Sequence, residues 1–134
     1  MAQRLCELLI MLVKLLKSKL HRARVTETKL HYPGSLAIDA ELMQKAGILL
    51  YEAVTVANLN NGARLETYAV PAEAGSKQII VLGAAAKLIS VGDIVIVFSF
   101  GYYSPEEAED VKPRVVVLDE NNNIKKTSSD NKKT

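Results

Sequence analysis

Tyr32-Pro33-Gly34-Ser35, followed at once by the apolar run Leu36-Ala37-Ile38, is the stretch around which the chain is organised. Pro33 sets its own φ, Gly34 accepts backbone conformations closed to other residues, and Tyr32, standing before a proline, is held extended. The plainest reading is a turn leading into a short buried strand. A turn can also hold a backbone under strain, and a Gly-Ser bond there has a second use. The Ser35 hydroxyl lies one residue from the Gly34 carbonyl and can attack it if the bond is distorted and the developing oxyanion is stabilised.

A chain of 134 residues fits one domain with one core. At 49% hydrophobic and 24% charged it has an ordinary globular composition. With no Trp and two Phe, its core must be aliphatic. A net charge of +2, with no basic patch interleaved with aromatics, gives no case for nucleic acid. Cys6 is the single cysteine, so no disulfide joins two parts of the chain.

Residues 1–20 read either as a basic amphipathic helix or as an extension ahead of a start at Met11. Glu7 and Lys14 interrupt the apolar run, so neither a membrane span nor a signal peptide is expected. We take residues 1–10 as an extension, 11–118 as the folded domain and 119–134 as a polar, flexible tail. From Lys19 to Thr26 the residues alternate as in a half-buried strand. Asp39 is a helix N-cap, Glu41 sits in the first turn, and Gly47 ends that helix. Further strands are expected over 53–59, 64–69, 78–82, 94–100 and 114–118, with Asn60-Asn61-Gly62 as a tight turn. Ser104-Pro105-Glu106-Glu107 opens a second short helix. Six or seven short strands with two small helices suggest a compact β barrel.

Gly75-Ser76 is a second Gly-Ser pair, and residue identity does not choose between Ser35 and Ser76. Gly83-Ala84-Ala85-Ala86 is either a short helical turn or a place where another group comes close to the backbone. No phosphate loop, dinucleotide fingerprint or zinc spacing is present, and His21 and His31 are the only histidines.

Lys19-Leu20-His21-Arg22, Leu30-His31-Tyr32-Pro33-Gly34-Ser35, Ala37-Ile38-Asp39, Ala46-Gly47-Ile48, Asn61-Gly62, Thr67-Tyr68, Gly83-Ala84-Ala85-Ala86 and Val91-Gly92-Asp93 occur in that order. Together they resemble the pyruvoyl-dependent aspartate 1-decarboxylases, from about Met11 to about Val117. The resemblance implies a double-psi β barrel and a cytoplasmic homotetramer with active sites between subunits. It implies a proenzyme that cuts itself between Gly34 and Ser35, leaving fragments of 34 and 100 residues. Ser35 then becomes a covalent pyruvoyl group, with neither metal nor pyridoxal phosphate. That group forms a Schiff base with L-aspartate and takes up the electrons released as carbon dioxide leaves. The product, β-alanine, feeds pantothenate synthesis. Whether an accessory maturation factor assists stays open.

Residue by residue, the resemblance assigns Arg64 and Lys19 to the substrate carboxylates and Tyr68 to proton donation. Thr67 contacts the scissile carbonyl, and His21 shapes the pocket. The backbone of Gly83, Ala84, Ala85 and Ala86 forms the pocket wall. By strand alternation Thr67 and Tyr68 face opposite ways, so both reach one centre only if the strand twists or bends. Leu82 departs from the family, whose members usually carry asparagine there. Leucine offers neither donor nor acceptor. Two other readings stand beside this one: a relative that is unprocessed or acts on another acidic amino acid, and a non-catalytic β-barrel interaction module.

Overall fold

The structure, a computed structural model, describes residues 11–128, so the reading of residues 1–10 lies outside the described residues. Nine strands form: β1 (Val13–Arg24), β2 (Glu27–Lys29), β3 (Ser35–Asp39), β4 (Ala53–Asn58), β5 (Arg64–Ala72), β6 (Ile79–Leu82), β7 (Ile94–Tyr103), β8 (Arg114–Leu118) and β9 (Ile124–Thr127). They are joined by hydrogen bonds in the order β2-β6-β3-β5-β4-β7-β1-β8-β9. Two short helices, α1 (Ala40–Ala46) and α2 (Pro105–Ala108), and a single 3-10 turn over Gly83–Lys87 complete the described elements. The β-rich class with two small helices is as expected. The strand ladders link all nine into one mixed sheet.

Three differences from the sequence reading have physical causes. The first strand starts at Val13 rather than near Lys19, because β7 runs on past Phe100 and offers Gly101–Tyr103 as partners for Val13–Leu15. An added β2 is three residues long and half exposed, too short for any periodicity to register. The third difference lies in the stretch expected to be a flexible tail, where β9 pairs antiparallel with β8. Its anchor is Asn122, which is buried and has φ +60°, a conformation asparagine tolerates. The Asn122 side chain accepts from Arg24 N (2.8 Å) and donates to the carbonyls of Arg24 and Lys77 (2.9 Å each). One polar residue thereby ties the β8–β9 turn to β1 and to the approach to β6.

The core is aliphatic, as the composition requires: Leu20, Ile38, Val54, Val56, Ile79, Val81, Val95, Val97 and Val116 are all fully buried. Each such side chain contributes roughly 1.5–3 kcal/mol relative to exposure. All five residues of β3 are buried. It lies between β5, which runs parallel to it, and β6, which runs antiparallel. Leu42, Met43 and Ala46 on one face of α1 are also buried. No helix among the described residues is long and apolar enough to cross a membrane.

Where β3 passes into α1, Asp39 has its carboxylate buried. Burial by itself would raise its pKa, but N–H donors from Lys77 (2.7 Å), Gly75 (3.0 Å) and Glu41 (2.8 Å) outweigh it. The net result is a carboxyl below its ordinary value of 3.8. A depressed carboxyl stabilises the fold above its unfolded pKa, and that contribution is lost as pH falls through the folded value. Asp39→Ala should therefore lower the unfolding free energy at pH 7 by about 3 kcal/mol, from a lost cap and two further charged bonds. Below about pH 4 the gap between variant and parent should close, as urea melts at several pH values will show.

Candidate active site

Gly83 opens the 3-10 turn at the end of β6 with φ +85°. A Cβ built on it would lie 2.7 Å from Gly34 Cα, 3.1 Å from Gly34 N and 3.0 Å from the Tyr32 carbonyl oxygen. Only glycine fits both the left-handed backbone and that approach. The Tyr32–Gly34 turn is thus pressed against the Gly83 backbone. Ser35 follows as the first residue of β3, buried and directly opposite Leu82 in the antiparallel ladder.

Beside this contact is a cavity of about 320 Å³, lined by Gly34, Leu65, Glu66, Thr67, Leu82, Ala84, Ala85 and Leu88. Its wall is largely apolar, and Glu66 and Thr67 bring the polar side chains. Leu65 and Leu88 are pocket residues that no sequence signal marked. Glu66 likewise carries no motif that marks it as a pocket residue. Gly83 stands behind the cavity, and Ala86 sits further along the 3-10 turn without lining it.

Ser76 is placed differently. Its Oγ donates to the Glu73 carbonyl at 2.5 Å and accepts from Gln78 N at 3.3 Å, within the loop before β6. Ser35 adjoins a cavity; Ser76 closes a loop.

The remaining candidates lie elsewhere on the chain. Arg64, Glu66 and Tyr68 alternate along β5 with Leu65 and Thr67. Through the ladders, Glu66 pairs with Thr55, Thr55 with Phe98, and Phe98 with Lys19. Paired residues point to the same side of a sheet, so Lys19, Phe98, Glu66, Arg64 and Tyr68 share one face. The Arg64 guanidinium lies 5.4 Å from the centre of the Phe98 ring, and Lys19 stands opposite Phe98 on β1. Arg64 thus stacks over Phe98, and Lys19 is on the same face at the paired position of β1. Neither of them, nor Tyr68, lines the Gly34 cavity, whereas Thr67 does. The alternation expected between Thr67 and Tyr68 is present in the fold.

His21 lies at an irregularity of β1, where the register against β7 shifts between Leu20 and Ala23. Next to it Arg22 has φ +65°. The Nδ1 atom of His21 is buried with no hydrogen-bond partner among the described residues. Burial first, then the positive charges of Lys19 and Arg22, pull its pKa below the usual 6.5. This favours the neutral ring, which can donate or accept a proton.

The description aspartate decarboxylase belongs to a family model that matches residues 11–125. The chain belongs to this family. It is 51% identical over 115 residues to the aspartate 1-decarboxylase of Salinibacter ruber, covering 86% of this chain and 79% of that protein. It is 52% identical over 110 residues to that of Bacillus licheniformis, covering 82% and 87%. With the aspartate 1-decarboxylase of Phenylobacterium zucineum it shares 52% identity over 118 residues, covering 88% and 100%.

Leu82 supplies apolar surface to the cavity at the position directly across from Ser35. Asparagine there would add a donor and an acceptor beside the Gly34–Ser35 bond, and one well-placed oxyanion donor is worth roughly 3 kcal/mol. Leu82→Asn should therefore speed cleavage of the precursor or turnover of the processed protein, by up to about a hundredfold. Separate time courses on precursor and mature protein measure the two rates. If neither rises, either the site is rebuilt around leucine or position 82 has no part in the reaction.

Proposed function

We infer that this chain is a self-processing carboxy-lyase that removes the α-carboxylate of L-aspartate, giving β-alanine and carbon dioxide for pantothenate synthesis. Membership of the aspartate decarboxylase family supports the reaction and its pyruvoyl dependence. The observation that carries the site is the Gly34–Ser35 bond, held against Gly83 at the edge of a cavity of about 320 Å³. That cradle suits a small group generated in place from Ser35, because glycine and alanine leave room beside the turn.

In self-cleavage, Ser35 Oγ adds to the Gly34 carbonyl carbon. The C–N bond breaks, the nitrogen of Ser35 takes the proton, and an ester replaces the amide. Loss of the Ser35 α-proton then expels Gly34 as a carboxylate and leaves a dehydroalanine, which water converts to a pyruvoyl group and ammonia. Thr67 is the cavity hydroxyl available to donate to the Gly34 carbonyl oxygen as it gains charge. A pyruvoyl group there would supply an electrophilic keto carbon for the substrate amine and, through conjugation with the adjacent amide, an electron sink for the pair left by departing carbon dioxide.

The chain's own side chains do the rest. Arg64 presents a planar fork to one substrate carboxylate, and Lys19 places a point charge for the other. Tyr68 holds a phenolic proton to return to the substrate α-carbon. Neutral His21 orders the pocket. Arg64, Lys19 and Tyr68 do not line the Gly34 cavity of their own chain, although Glu66 of the same strand face does, which favours a site completed between subunits. We propose a cytoplasmic homotetramer of double-psi barrels, with the cation-bearing face of one copy set against the cavity of another. Each processed subunit keeps its 34- and 100-residue pieces. The shorter carries seven Lys/Arg against two acidic residues, and the longer ten against thirteen, so the pieces attract.

Ser35→Ala should leave a folded, uncut chain without activity, while Ser76→Ala still yields two fragments, one of them with the mass of a pyruvoyl end. Intact mass under denaturing conditions reads this directly, and the reverse pattern would move the cut site to Gly75–Ser76. Arg64→Lys should cut normally but raise KM for aspartate by about tenfold, since an ammonium cannot reproduce the fork. An unchanged KM places carboxylate recognition elsewhere. Assays with glutamate and cysteine sulfinate beside aspartate test for a re-specialised substrate.

A further inference from the structure

Tyr51 has φ +66°, in the left-handed region that glycine and asparagine enter readily and a bulky aromatic does not. It stands between α1 and β4, in a turn held at several points. The Glu52 carboxylate accepts from Lys17 Nζ at 2.8 and 3.0 Å and from Leu49 N at 2.8 Å. Lys17 Nζ also donates to the Gly47 carbonyl at 2.6 Å. Tyr51 N donates to the Ala69 carbonyl at 2.8 Å, and Ala69 N returns a bond to the Glu52 carbonyl at 3.0 Å. These bonds clamp the turn to β5 at the residue directly after Tyr68. The Tyr51 ring then meets the Tyr68 ring edge to face, with centres 6.2 Å apart and planes at 63°.

The backbone at this position disfavours tyrosine, and the ring is largely exposed. Burial in the core therefore does not account for the choice. Its ring contact is with Tyr68. We propose that Tyr51 is a positioning residue for Tyr68, limiting the orientations its phenol can take so that the proton is delivered to the substrate α-carbon. This rests on the reading of Tyr68 as the proton donor. An edge-to-face pair has a preferred geometry, and it holds the ring of Tyr68, a residue that is 39% exposed. Misplacing a reacting group by a fraction of its reach is costly to rate while leaving substrate binding intact.

The test separates positioning from folding because the two pull in opposite directions at a left-handed residue. Tyr51→Asn relieves the backbone and removes the ring. In the processed enzyme it should keep or raise Tm and leave KM for aspartate within about twofold, while lowering kcat about tenfold. Tyr51→Phe keeps the ring and should keep kcat within about twofold. Tyr68→Phe should lose turnover, and adding Tyr51→Asn to it should cost little more, since the two residues act as one unit. Unchanged kcat in Tyr51→Asn, with turnover lost in Tyr68→Phe, overturns the positioning role and leaves the donor role standing. Full turnover in Tyr68→Phe overturns the donor role itself. A fall in Tm, or a smaller assembly by sedimentation in Tyr51→Asn, marks Tyr51 as a structural or interface residue and likewise overturns the proposal.

Discussion

The close approach of Gly83 to the Tyr32–Gly34 turn is the contact on which the candidate site depends. No side chain can stand between these two backbones, because a Cβ on Gly83 would lie 2.7 Å from Gly34 Cα. That contact needs β3 and β6 side by side, and their ladder runs from Ser35–Leu82 to Ile38–Ile79. The ladder in turn needs β3 buried on both faces, which its unbroken apolar run allows. Asp39 closes the far end by gathering N–H groups from α1 and from the loop before β6. Position at the Gly34–Ser35 bond is thus set by a strand whose five residues are all buried.

Charged side chains gather on one face of the sheet. Strand alternation sends Arg64, Glu66 and Tyr68 outward while Leu65 and Ala69 pack inward. Antiparallel pairing then carries the same outward side across β4 and β7 to Lys19. Such a face keeps its cations hydrated in a single chain and desolvates them only when something covers it. Aspartate, with two carboxylates and an amine, is the kind of ligand that needs fixed cations in a site shielded from water. Glu66 belongs to that face and also reaches the wall of the Gly34 cavity, so the two regions adjoin along β5.

Some of the fold was legible in the chain because local chemistry sets it. The Asp39 cap, the Ser104 capping box, the Asn61-Gly62 turn and the Ile94–Phe100 run each act within a few residues, and each is found where its residues put it. The polar stretch after Leu118 was not legible. Its order comes from Asn122 meeting Arg24 and Lys77, partners far away in the chain. Tyr51 was silent for a similar reason: neither a positive φ nor a ring neighbour is written into Leu50-Tyr51-Glu52.

By itself, the sequence determined an aliphatic β protein, a turn at Tyr32–Ser35, and an ordered set of motifs shared with one enzyme family. Composition, capping and turn chemistry are properties of neighbouring residues and survive without coordinates. Only the tertiary structure decided that Ser35 and Ser76, alike in sequence, occupy different surroundings. Strand pairing across nearly fifty residues puts Ser35 beside Leu82 and the Gly34 cavity, while Ser76 spends its hydroxyl on the Glu73 carbonyl. It also decided that Thr67 opens into that cavity and Tyr68 onto the outer face, because side-chain direction on a strand follows register, and register is settled by partners distant in the chain.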